Sequence, residues 1–202
     1  AGAVNGIILD ADGTELYNLF TEFNVVEKEF AFAAEFAGGT DDGDLLQLLT
    51  DVTRYIRNAL GGLGYRSIHC LCGDVWFDAF VKHPEVRESY RLWNNGQFFR
   101  EQKGAEGKVF EWGDVTFENY RGKVGDRDFV DPDHCRFFPT GVTSLFPTYY
   151  APADYIETVN TLGRPFYAKR ETMKYDKGVE LEAQSNPLNI CTRPRVLVKG
   201  TS

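Results

Sequence analysis

The chain has 202 residues, 43% hydrophobic and 26% charged, enough for one good core or two small lobes sharing a sheet, and too apolar for wholesale disorder. A net charge of −8, with Lys and Arg scattered and Lys169-Arg170 the longest basic run, argues against a protein that holds nucleic acid through its phosphates. The 16 Phe and 10 Tyr suit a β-rich protein or one with large interfaces.

Gly6 to Phe36 reads as a long β-hairpin. Ile7-Ile8-Leu9 runs into an Asp10-Ala11-Asp12-Gly13 turn, Thr14 to Phe20 returns, and Val25 to Phe32 extends the strand region. It displays Phe20, Phe23, Phe30, Phe32 and Phe36. An isolated hairpin is marginal in water, so these faces require cover from another element or another chain. Gly43 to Leu60 is the clearest helix, with Leu45, Leu48, Leu49, Val52, Ile56, Ala59 and Leu60 on one side. Asp41, Asp42 and Asp44 sit at its positive end, Arg54 and Arg57 near its negative end.

Tyr65 to Cys72 reads as a buried strand, followed by a helix from Asp74 to about Lys82 and another from Pro84 to about Trp93. Gln97 to Phe99, Val109 to Trp112 and Val115 to Tyr120 are strand candidates, the last two joined by a Gly113-Asp114 turn. Gly104 to Gly107 and Lys123 to Asp133 read as loops, and Cys135 to Pro139 and Leu145 to Tyr150 as short strands. In the last block, Asp154 and Glu157 make a capping-box pattern for a short helix stopped by Gly163. From Pro165, aromatic and β-branched residues alternate with charges, as in strands with one wet face.

Nothing in this order assembles a reactive site. Asp10-Ala11-Asp12-Gly13 fails as a calcium loop, because Ile8 and Leu19 would occupy ligand positions. Cys70 and Cys72 share one face of a strand while His69 points to the other, so the three cannot converge on a metal, and the thiols read as small buried hydrophobes. His83 precedes a proline at a helix start, where a capping or surface role is usual, and adjacent His134 and Cys135 diverge on a strand. Gly61-Gly62-Leu63-Gly64 lacks the ending of a phosphate loop. Trp93, Phe98, Phe99, Phe110 and Trp112 lack the interleaved basic residues of a base-stacking surface, and core or subunit interface is expected for them. No catalytic residue, cofactor or metal is expected. The four cysteines, Cys70, Cys72, Cys135 and Cys191, form no C-x-x-C pair, and no apolar run approaches membrane-spanning length, so a reducing cytoplasmic setting is expected. The chain starts at Ala1 without Met, as a fragment does.

The motif A-P-A-D-Y-x-E-x-V-N-T-x-G from Ala151, followed by K-G-V-E-L-E-A-Q-S-N-P-L and C-T-R-P-x-V-L, resembles the C-terminal end of the lambda-type tailed-phage major capsid (head) proteins, the major capsid protein E family. The resemblance implies an α+β fold of the Hong Kong phage capsid type. Residues 1–40 would be its extended β-hairpin loop, 41–97 the peripheral domain with the spine helix, 98–160 the axial domain, and 161–202 C-terminal strands returning to the peripheral domain. The family's N-terminal portion, with its extended arm, has no counterpart in these residues. The implied function is structural: copies of the chain form hexamers and pentamers that close an icosahedral shell around double-stranded DNA, in the virion capsid and assembled in the host cytoplasm. Decoration, scaffold and portal proteins are the further partners it implies, with no sequence-specific contact to DNA and no membrane. On this reading Phe20, Phe23, Phe30, Phe32 and Phe36 are the candidate subunit-contact residues. The competing readings are an enzyme with an unrecognised cysteine-dependent site and a monomeric binding module with an aromatic groove.

Overall fold

A computed structural model describes residues 2–10, 13–38, 43–95, 109–124 and 127–202. The expectations at Ala11, Asp12, Asp41, Asp42, 97–99 and 104–107 lie outside the described residues, as do the side chains of Trp93, Phe98 and Phe99. In chain order, a short helix α1 (Gly2–Asn5) leads to strands β1 (Ile7–Leu9) and β2 (Glu15–Asn18), helix α2 (Leu19–Glu22), strand β3 (Lys28–Ala31) and helix α3 (Ala33–Gly38). Helix α4 (Asp44–Leu60), strand β4 (Ser67–Cys72), helix α5 (Asp74–Lys82) and helix α6 (Pro84–Asn95) follow. Next come β5 (Val109–Trp112), β6 (Val115–Asn119), the short pair β7 (Lys123–Val124) and β8 (Arg127–Asp128), and β9 (His134–Thr140). The chain ends with β10 (Thr148–Tyr150), β11 (Tyr167–Thr172), β12 (Val179–Gln184), β13 (Pro187–Asn189) and β14 (Val198–Thr201).

Six strands make one mixed sheet in the order β3-β14-β9-β4-β6-β5. Its strands come from all four segments into which the sequence was divided. Alternation decides the faces: Ile68, Cys70 and Cys72 of β4, Cys135 and Phe137 of β9, and Val115 and Phe117 of β6 are buried, while Ser67, His69, Leu71, Arg136 and Phe138 are half-buried on the other side. The register places Cys70 beside both Phe117 and Phe137, so the buried positions form one continuous apolar face. Gly113 (φ 57°) and Asp114 (φ 63°) are the two central residues of the β5–β6 turn. Positive φ at both is what a tight two-residue hairpin demands.

Helices α4 and α5 cover the apolar face. On α4, Leu45, Leu49, Val52, Ile56 and Leu60 are buried at helical spacing. One end of α4 lies over the β5–β6 turn, where Leu49 approaches Gly113, and Tyr55 meets Phe30 of β3 edge-on at 6.3 Å. From α5, Trp76 stacks on Phe80 at 5.3 Å and on Phe117 at 6.1 Å, and Phe80 sits 4.3 Å from Phe117. Aromatic pairs in this range add roughly 0.5–1.5 kcal/mol each beyond their burial.

Two expectations are corrected. The first segment is not one long hairpin. Only β1 and β2 pair, and the strand stops at Asn18 because its side-chain oxygen accepts hydrogen bonds from the amides of Phe20 (3.1 Å) and Thr21 (3.4 Å), starting α2. The chain then joins the central sheet, β3 running parallel to β14. In the last block, the short helix is a single 3-10 turn over Ile156–Thr158. Asp154 and Glu157 do not form a capping box there. The Thr158 hydroxyl bonds the carbonyls of Ala153 and Tyr155, the Asp154 amide donates to Gln184 (2.9 Å), and Glu157 pairs with Lys169.

Candidate functional site

Cys70, Cys72 and Cys135 lie under the helices, with Cys70 and Cys72 sulfurs 3.6 Å apart. Burial, first of all, raises the Cys70 and Cys72 thiols above the ordinary thiol range, and it lifts Cys191 to about 11. Such thiols are poor nucleophiles at neutral pH. His69 points to the opposite face of β4 and meets Glu118 at 2.9 Å. His134 lies 3.8 Å from Asp131. His83 is buried and not at the surface; its carbonyl accepts from the Val86 and Arg87 amides at the start of α6, and its Nδ1 has no partner among the described residues. The hollow beside it, of about 380 Å³, is lined by Phe36, Val75, Asp78, Ala79, Lys82, His83 and Pro84, with no Ser, Thr or Cys among them. Among the described residues no group of three or more His, Cys, Asp and Glu could hold a metal ion.

The five phenylalanines fare differently from one another. Phe20 and Phe32 are in the core, and Phe30 and Phe36 pack against it. Phe32 lies 5.3 Å from Trp76 and 6.0 Å from Phe137, and Phe36 lies 5.3 Å from Trp76. The expectation that all five are displayed is therefore corrected: the chain covers four of them itself, wholly or in part. Phe23 is the exception, 46% exposed.

Strongly exposed apolar residues lie elsewhere, in the segment from Pro165 for which the sequence predicts strands with one wet face, and just before it. From Leu145 and Thr192 outward, the chain forms a two-stranded arm. Thr192 donates to Leu145 (3.0 Å), β10 pairs with β13, and the Ala151 amide bonds Asn186 (3.0 Å). An excursion through residues 153–166 precedes the hairpin of β11 and β12. Both faces of that hairpin are wet, and β11 and β12 pair with no other strand among the described residues. Ile156 (95%), Leu162 (92%), Phe166 (80%) and Leu181 (77%) stand in solvent. Single exposed apolar residues are ordinary; here four stand along one arm without cover from the described chain. The visible signal in the sequence was Leu181 between Glu180 and Glu182, an apolar residue isolated on a strand.

Comparison with known proteins identifies a family. A family model described as "Phage major capsid protein E" matches residues 1–202. The "Major capsid protein" of Salmonella phage Felix O1 is 26% identical over 97% of this chain and 61% of its own length. The "Major capsid protein" of Pseudomonas phage KPP10 is 30% identical over 64% of this chain and 41% of its own length. The chain thus spans about three fifths or less of the curated relatives it matches. A solved structure assigned as a capsid protein of an E. coli CFT073 prophage superposes on 89% of this chain and 53% of its own, with a TM-score of 0.52 and 15% identity, a likeness of fold.

Proposed function

Because the chain belongs to the phage major capsid protein E family, we propose that it is part of the shell-forming subunit of a tailed-phage head. Its copies assemble as hexamers and pentamers into an icosahedral shell that encloses double-stranded DNA. The family match across residues 1–202 carries this reading. The bare arm supports it, since a subunit that completes its surface only among its neighbours needs such faces. Phe23 is a candidate contact residue on the same ground. The fold is taken to be of the Hong Kong phage type, with peripheral and axial parts, and decoration, scaffold and portal proteins are further partners.

Shell formation works by burying apolar area at many identical contacts, each weak and jointly strong, so it requires no reactive group. The net charge of −8 suits a wall that surrounds DNA without gripping it. The test is expression of the full-length protein followed by electron microscopy and sedimentation. Closed shells of uniform size are expected. A stable, monodisperse monomer over the whole accessible concentration range would overturn the reading.

A further inference from the structure

The β11–β12 hairpin is amphipathic, and its apolar face is bare. The register pairs Tyr167 with Gln184, Lys169 with Glu182 and Glu171 with Glu180 on one face, and Ala168 with Ala183, Arg170 with Leu181 and Thr172 with Val179 on the other. The charged face is exposed as well, and Lys169 ties it to the rest of the arm. Lys169 pairs with Glu157 and sits 4.9 Å over the Tyr155 ring. The face of Ala168, Ala183, Leu181 and Val179 is exposed throughout. Ordinary half-buried hairpins lay the apolar face on a core, and here that face has no cover among the described residues. Arg170, the single charged residue on the apolar face, has no ion-pair partner among the described residues.

We propose that this face, centred on Leu181 and Arg170, docks against a second copy of the chain. The inference rests on the shell reading above and names a surface that carries it. Two features select a second copy. An apolar patch with one cation needs an apolar surface bearing a carboxylate, and a chain of net charge −8 supplies carboxylates in excess. Nucleic acid is disfavoured, because phosphate binding calls for clustered cations and this face has one. A two-stranded hairpin is also marginal alone in water, so cover from a neighbour stabilises the arm as well as the assembly.

The experiment uses the full-length protein with Leu181→Cys and, separately, Leu181→Asp. Cys70, Cys72, Cys135 and Cys191 are buried, so a maleimide reads the introduced thiol. Labelling about tenfold slower in particles than in dissociated subunits is expected, together with a folded Leu181→Asp protein, by circular dichroism, that forms no particles. Equal labelling rates in the two states, or normal particles from Leu181→Asp, overturn the docking face and leave the shell reading standing. Protection already present in dissociated subunits assigns the cover to the same chain, and protection gained on adding double-stranded DNA assigns it to nucleic acid; either overturns the proposal. Failure of the unsubstituted protein to form particles removes the shell reading and this inference together.

Discussion

Glu85, on α6, accepts a hydrogen bond from the amide of Leu45 at 3.2 Å, closing the start of α4 from a distant part of the chain. The same carboxylate also accepts from the amides of Gly43 (3.2 Å) and Leu46 (3.1 Å). Gly43, the residue before the helix, has no side chain with which to cap it, so the cap is borrowed. An acid at a helix N-terminus also complements the helix dipole. Glu85→Ala is expected to lower stability by about 1–2 kcal/mol and Glu85→Gln by less, read from urea unfolding midpoints at unchanged slope.

Phe20 and Phe23 separate core from surface within one short helix and its end. Phe20→Ser is expected to cost about 3–5 kcal/mol, because it empties a buried site. Phe23→Ser is expected to shift stability by no more than about 0.5 kcal/mol and to act on assembly alone. Thermal melts and particle yields measured on both variants check this. A Phe20→Ser protein as stable as the parent would contradict the packing described.

Gly200 allows no side chain. A Cβ there would lie 2.5 Å from the Cys135 sulfur and 3.0 Å from the Phe32 ring. Both neighbours are buried in the aromatic core, so neither can move aside freely. Gly200→Ala is expected to destabilise by about 1–3 kcal/mol, measured as a drop in melting temperature, and combining it with Cys135→Ala, which removes the nearest atom, should cost less than the two changes summed.

Buried thiols make the alkaline limb of stability informative. With the Cys191 thiol pushed up to about 11 in the folded chain and ionising near 8.5 when unfolded, the unfolded state sheds its proton first. Stability therefore falls as pH rises from the ordinary thiol range towards 11. Cys191→Ala should flatten this slope between those limits, as measured by denaturant unfolding at a series of pH values. An unchanged slope would mean that the thiol ionises equally in both states.

Where local pattern was sufficient, the elements were legible: the spacing of leucines in α4, the limits of α5 and of β5, and the Gly113-Asp114 turn all match. Long-range pairing was not. Nothing local indicates that residues 28–31 run parallel to residues 198–201, yet that pairing places Phe32 in the core and removes it from the surface. Asn18 reads equally as a strand residue or a cap, and its bonds to Phe20 and Thr21 settle the matter only in three dimensions. The arm was missed because alternation between apolar and charged residues normally signals a half-buried strand. In β11 and β12 the pattern is present, but its apolar side has no partner within the described chain.

The position of β14 between β9 and β3 sets the timing of folding. During synthesis, β4, β6 and β9 emerge and can pair in turn, whereas β3, made far earlier, has no neighbour until residues 198–201 arrive. Closing so long a loop is entropically costly and slow relative to local hairpin formation. The residues of the β11–β12 hairpin all emerge before the central sheet can be completed. A nascent chain therefore exposes the arm's apolar residues on an unfinished body, which makes the interval before β14 inserts the period of greatest risk of aggregation.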